Sequence, residues 1–200
     1  MNKVACSIAM SLDAFVAGPN LTFEKPFGDM PEDALHHWMF DEPEKHRAEL
    51  DALTDAGAFI MGSNMYGPKD RRETADWKGW WGDEPPYHAP VFVLTEKQRD
   101  PIPMAGGTTF YFVSDGIEAA LSRAKAAAGD KTIAIAGGAS TVNQYLSAGL
   151  IDELWLHIAP ITLGGKGPRL FEGVPALELE PIETSGTKLV THIKYRVVKK

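Results

Sequence analysis

The stretch Thr132-Ile133-Ala134-Ile135-Ala136-Gly137-Gly138-Ala139-Ser140-Thr141 decides the fold class of this 200-residue chain. An apolar run predicts a buried strand, and two glycines follow it directly. Ser140 can cap a helix that we expect to end at Gly149. A strand that passes through glycines into a helix brings free backbone N–H groups and the positive end of the helix dipole to one point, which suits a pyrophosphate. The same glycines also fit a simple connection between strand and helix, and the dinucleotide fingerprint G-x-G-x-x-G is missing from the sequence.

Outward from this stretch, short apolar runs alternate with amphipathic segments. We predict strands over residues 3–10, 58–61, 91–94, 109–113 and 154–161, and an antiparallel hairpin over 177–183 and 188–198. Helices are expected over 43–55, capped by Asp41, and from Asp115, which has capping-box spacing to Glu118, to Gly129. Strands and helices in alternation predict an α/β fold with a mainly parallel sheet covered on both faces. The C-terminal hairpin would add an antiparallel edge.

Composition narrows the class of protein. The net charge of −7 disfavours nucleic acid and anionic membranes as partners, and Cys6 is the one cysteine, so no internal disulfide can form. No stretch of about 20 apolar residues is present, and the N-terminal segment does not read as a secretory signal. We therefore expect a cytoplasmic protein of one domain over residues 1–200.

Small and polar residues follow several predicted strands. Ligands of open parallel sheets bind beyond the carboxyl ends of the strands, so these residues could line one cleft: Gly18, Gly62, Thr95, Gly137 and Gly138. A glycine-rich segment with Lys166 and Arg169 could hold an anionic group of a substrate, or it could be a solvated loop. No histidine spacing is typical of a metal site; His36, His37 and His46 read as surface residues.

Four segments occur in the order seen in dihydrofolate-reductase-like proteins: residues 10–18, 60–66, 137–141 and 150–164. The chain most closely resembles the reductase domain of the bifunctional riboflavin-biosynthesis deaminase-reductase. The resemblance implies a three-layer αβα sandwich, NADPH as hydride donor and a homodimer. It also implies an NAD(P)H-dependent reduction of a small heterocyclic or carbonyl-like substrate.

The resemblance also implies positions for the cofactor. The paired glycines, sometimes joined by a cis peptide in the family, would approach the pyrophosphate together with Ala139, Ser140 and Thr141. Ala9 and Met10 would meet the nicotinamide through their backbone. The turns after the second and third strands would hold the adenosine end, with these residues: Gly62, Ser63, Asn64, Thr95 and Lys97.

Ser63 departs from the family pattern, because relatives carry an arginine there. Lys97 or Arg99 could take over the 2′-phosphate of NADPH, whereas Glu96 would repel it and suit the ribose of NADH. We expect NADPH, with NADH as the alternative.

The groups that act on the substrate are less defined. Asp13 is a candidate catalytic acid, although a turn-forming aspartate fits the same segment. Trp80 and Trp81 could form a substrate lid or a dimer contact, or an apolar cluster under a long loop. Two other functions stay open: reduction of 5-amino-6-(5-phosphoribosylamino)uracil in the riboflavin pathway, and nucleotide sensing without catalysis.

Overall fold

A nine-stranded sheet forms the centre of the computed structural model, which describes residues 2–31 and 33–199. Residues 1, 32 and 200 of the predicted domain lie outside this description. The strands are β1 Val4–Ser11, β2 Ala58–Gly62, β3 Pro90–Leu94, β4 Ile102–Pro103, β5 Thr109–Val113, β6 Ile133–Gly137, β7 Glu153–Ala159, β8 Glu178–Gly186 and β9 Thr191–Val198. Their order is β4-β5-β3-β2-β6-β1-β7-β9-β8. The six strands from β5 to β7 in this order run parallel. At the edges the pairs β4–β5, β7–β9 and β9–β8 are antiparallel.

Five α-helices accompany the sheet in the described residues: α1 His37–Asp41, α2 Arg47–Thr54, α3 Ser63–Tyr66, α4 Ile117–Ala127 and α5 Ala139–Ser147. Helices α4 and α5 cover one face, where Leu121 and Val142 pack against Cys6 and Ile135. The predicted α/β sandwich with an antiparallel C-terminal hairpin is confirmed. None of the helices in the described part of the chain is long and apolar enough to span a bilayer.

The opposite face is covered in two separate places. Above β2, β3 and β5, Tyr66 and Trp77 pack with Phe59 and Phe110. We call this group the aromatic cover. Above β7 and β9, the buried Trp38 contacts both His157 and His192, with ring centroids 4.9 and 4.8 Å apart.

Between these two covers the middle of the sheet is open. Along β1 and β6 the residues facing the helices α4 and α5 are buried, whereas the alternate residues are only half-buried. Central strands with helices on both faces are normally buried on both, so the face is uncovered here. We call this opening the central cleft. Its floor consists of small residues: Ala5, Ser7, Ala9, Ala134 and Ala136.

The predicted helix caps are wrong. No side chain caps α4 or α5, whose N-cap residues are Gly116 and Gly138, and Ser140 lies inside α5. Asp41 ends α1, and the helix predicted over 43–55 is a 3-10 turn followed by α2. Gly116 enters α4 with a φ of +89°, a conformation that favours glycine, whereas Gly138 enters α5 with an extended backbone.

Candidate active site

Gly62 lies against the first turn of α5. A Cβ atom added to Gly62 would overlap with the Thr141 hydroxyl oxygen. Only glycine therefore allows the end of β2 to approach the start of α5 so closely. The structure thus brings together two segments that the sequence analysis assigned to one nucleotide site.

The start of α5, at Gly137 and Gly138, has open space beside it. The Gly137–Gly138 peptide is cis, and Gly137 adopts a φ of +127°. Apart from its chain neighbours, no heavy atom of the described residues lies within 4 Å of a Cβ added to Gly138. Because no side chain caps α5, the N–H groups of its first turn are not occupied by a side-chain acceptor. This end of the helix can therefore accept an anion from the open side.

A cavity of about 230 Å³ adjoins Ser63 and Thr95. Three cations line it, and each already has a protein partner. Lys97 Nζ binds Glu73 at 2.5 Å, Arg99 donates to the Thr74 carbonyl at 3.2 Å, and Arg72 donates to the Asn64 side chain. Arg72 was not predicted as a site residue, because it reaches the turn after β2 from a loop eight positions beyond Asn64.

Asp13 connects two loops. Its carboxylate accepts hydrogen bonds from the Ser11 hydroxyl at 2.5 Å and from the Leu163 and Gly164 N–H groups at 3.1 and 2.8 Å. These bonds, that from Ser11 foremost, lower the pKa of Asp13 to about 2. A carboxyl group this acidic is a poor proton donor at neutral pH, so the geometry favours a role in loop structure.

The glycine-rich segment after β7 is also tied to the first loop. Arg169 Nε donates to the Asp13 carbonyl at 2.9 Å, and Arg169 lines an open cavity of about 660 Å³ together with Ser140. Lys166 is exposed. Gly18 packs so tightly that an added Cβ would lie 2.5 Å from the Asp29 carbonyl oxygen. Close packing of the loop therefore explains why position 18 is a glycine.

The first loop reaches both covers of the central cleft. Phe23 stacks on Trp80 with centroids 6.2 Å apart, and Phe27 lies 4.7 Å from the His36 ring. Trp81 instead packs on Tyr87 at 5.2 Å within the aromatic cover. Trp80 also packs edge-on against the buried Trp77 at 5.0 Å, so both tryptophans belong to the apolar cluster, and Trp80 in addition contacts the first loop.

A chain of buried histidines lies beside the cleft. Ser7 Oγ is hydrogen-bonded to His157 Nε2 at 2.7 Å, His157 Nδ1 to His192 Nδ1 at 2.6 Å, and His192 Nε2 to His46 Nδ1 at 2.9 Å. Burial lowers the pKa of His157 to about 3 and that of His192 to about 4, so both rings are neutral. The prediction that His46 is a surface residue is wrong, since 2% of it is exposed.

The chain matches one protein-family model over most of its length. The model of the RibD C-terminal domain family matches residues 2–191. The chain belongs to this family. No curated protein sequence matches the chain.

Solved structures similar to the chain have the same fold. A riboflavin biosynthesis protein from Shewanella sp. PV-4 is 24% identical over all of both chains, with a TM-score of 0.68. The deaminase/5-amino-6-(5-phosphoribosylamino)uracil reductase of Thermotoga maritima is 15% identical over 98% of this chain and 57% of its own, with a TM-score of 0.60. A dihydrofolate reductase from Enterococcus faecalis, solved with NADP(H), is 14% identical over 98% of this chain and 97% of its own, with a TM-score of 0.55. The resemblance to both groups is confirmed.

Proposed function

We propose that the chain is an NADPH-dependent reductase of a small heterocyclic or carbonyl-like substrate, acting as one domain over residues 1–200 and assembling as a homodimer. The observation that carries the proposal is the uncapped start of α5 behind Gly137–Gly138, where open space meets free N–H groups. Membership of the RibD C-terminal domain family supports the reaction class. The similar dihydrofolate reductase, whose structure contains NADP(H), supports the cofactor.

The residues fit the three parts of this cofactor. The pyrophosphate would lie at the first turn of α5, which offers N–H donors and a positive dipole end. The adenosine end would enter the cavity beside Ser63, where Lys97, Arg72 and Arg99 supply the positive charge that Ser63 lacks. The nicotinamide would lie near Ala9 on the cleft floor. The Met10 side chain packs in the core on the other face, so only its backbone is available there.

The substrate would occupy the central cleft. Its floor of alanines lets a flat ring approach the sheet closely, and the Ser7 hydroxyl is the polar side chain among the floor residues. Ser7 is oriented by its hydrogen bond to His157, so it can bind a polar atom of the substrate. When bound, the cofactor supplies the hydride; the chain's own residues hold the substrate in place and exclude water.

A second candidate is the reduction named for the Thermotoga maritima protein, whose substrate carries a ribose phosphate. Arg169 favours it, because its guanidinium lines an open cavity beside Ser140 at the start of α5. Sensing of the nucleotide without turnover is the third alternative.

The first experiment titrates the protein with NADPH and with NADH and follows the intrinsic tryptophan fluorescence. We expect a micromolar Kd for NADPH, which corresponds to about 8 kcal/mol. Gly138→Val should fold, because a Cβ at this position has no heavy atom of the described residues beyond its chain neighbours within 4 Å, yet bind NADPH at least tenfold more weakly. Lys97→Ala should weaken NADPH more than NADH, whereas the exposed Lys125→Ala on α4 should leave both unchanged.

The outcomes separate the alternatives. Binding of neither nucleotide would overturn the proposal. Preference for NADH would mean that Ser63 and Glu96 set the cofactor. Tight NADPH binding without oxidation by pterins, pyrimidines, quinones or aldehydes would favour the sensor.

A further inference from the structure

We propose that His46, Glu49 and His192 form a binding site for a divalent transition-metal ion, with Zn²⁺ as the ion that fits best. One ligand atom of each residue lies within 4.8 Å of those of the other two, and all three side chains are buried. The proposed site lies apart from the nucleotide site, and it does not rest on the reductase proposal.

The sequence places two of these ligands on one side of α2. His46 directly precedes the helix and Glu49 lies in its first turn, a spacing of three residues that puts both side chains on neighbouring positions. His192 faces them from β9, where it stands directly opposite His157 of β7. The site therefore connects a helix to a strand that lies 146 residues further along the chain.

The distance between the two imidazole nitrogens is close to that in a zinc site. His46 Nδ1 and His192 Nε2 lie 2.9 Å apart. With Zn–N bonds of about 2.05 Å and tetrahedral angles, two ligand nitrogens lie roughly 3.3 Å apart. A shift of a few tenths of an ångström would give the two nitrogens this separation. The Glu49 carboxylate oxygen lies up to 4.8 Å from them and would have to approach by a side-chain rotation.

Each ligand has a partner for the atom that does not face the site. His192 Nδ1 is bonded to His157 at 2.6 Å, and Glu49 Oε1 accepts from the Ser185 hydroxyl at 2.8 Å. His46 Nε2 is paired with the Thr187 hydroxyl at 3.5 Å, and Glu42 Oε2 lies 3.8 Å from the same nitrogen. Outer groups of this kind fix the orientation of metal-binding imidazoles and carboxylates in proteins.

The donor set selects the class of ion. Two imidazole nitrogens and one carboxylate oxygen suit Zn²⁺, whereas Mg²⁺ and Ca²⁺ prefer oxygen ligands alone. Three protein ligands leave a fourth position for water. Trp38, whose ring lies about 5 Å from the His46 and His192 rings, supplies an apolar wall. The bound ion would fasten α2 to the hairpin of β8 and β9.

The test uses the full-length chain, stripped with a chelator, and Zn²⁺ alone as the probe. Calorimetric titration should show one ion per chain with a micromolar or lower Kd. A hundredfold excess of Zn²⁺ over this Kd should raise the Tm by about 5–10 °C. Glu49→Gln and His192→Gln should each weaken binding at least tenfold. The exposed loop residue His88 provides the control, since His88→Gln should bind as the wild type does.

A spectroscopic measurement keeps the test decisive where a variant fails to fold. Co²⁺ in place of Zn²⁺ should give the intense visible absorption of a four-coordinate ion, and Glu49→Gln, which preserves the side-chain shape, should remove it. No stoichiometric binding to the wild type would overturn the proposal. Equal binding by Glu49→Gln and the wild type would do the same. Hydrogen bonds alone would then hold these side chains in place.

Discussion

Gly62→Ala should destabilise the protein through a single overlap. The added Cβ would come closer than 3.0 Å to the Thr141 hydroxyl oxygen, whereas the next atoms, Thr141 Cβ and the Gly137 carbonyl oxygen, lie at ordinary distances of 3.7 and 3.8 Å. Overpacking of a closely packed site costs about 1–3 kcal/mol. We expect a loss of this size in the free energy of unfolding, measured by urea denaturation with an unchanged m-value.

The overlap depends on one atom, so a double-mutant cycle isolates it. Thr141→Ala removes the hydroxyl, and Gly62→Ala should cost nearly nothing in that background. Thr141→Val places a methyl group where the hydroxyl was and should preserve the cost. If Gly62→Ala costs the same in all three backgrounds, or nothing in the wild type, the close approach of β2 to α5 is not what requires glycine.

Three further predictions follow from individual side chains. The pKa of Asp13 in the folded chain, about 2, lies below its ordinary value of 3.8. Its contribution to stability is therefore complete above pH 4 and is lost as the pH falls through 2. The difference in Tm between the wild type and Asp13→Asn should shrink over this pH range, and a constant difference would contradict the prediction. Burial raises the pKa of the Cys6 thiol to about 12, so a thiol reagent should react with it only after unfolding, and reaction at the rate of a free thiol in the native protein would refute its burial. Trp80→Ala and Trp81→Ala should each lower the free energy of unfolding by about 2–4 kcal/mol in urea, because each ring packs against a buried aromatic residue, Trp77 and Tyr87 respectively. An unchanged free energy of unfolding in either variant would contradict this packing.

The strands could be predicted because local chemistry determines them. The run 132–136 is apolar and ends in glycines, and the structure has β6 at Ile133–Gly137. The hairpin was also predicted, although β8 extends three residues further than expected, to Gly186. These features depend on neighbours in the sequence, which a single chain displays.

The histidine cluster could not be predicted in this way. His46 reads as a polar residue near the start of a helix, and nothing in its neighbours indicates that His157 and His192 will bury it. Such contacts depend on the order of the strands, which places β7 beside β9. The caps were wrong for a local reason: α4 begins one residue later and α5 two residues earlier than predicted, so that Gly116 and Gly138 stand at the N-cap positions expected for Asp115 and Ser140.

The alternation along β1 has a consequence for how the protein can evolve. Val4, Cys6 and Ile8 point into the core under α4 and α5, while their neighbours Ser7 and Ala9 form the cleft floor. Substitution of a core residue disturbs the packing and lowers the stability of the fold. Substitution of a floor residue changes mainly the shape and polarity offered to a ligand. At the floor that we propose holds the substrate, ligand preference can therefore change while the other side of the same strand stays constant.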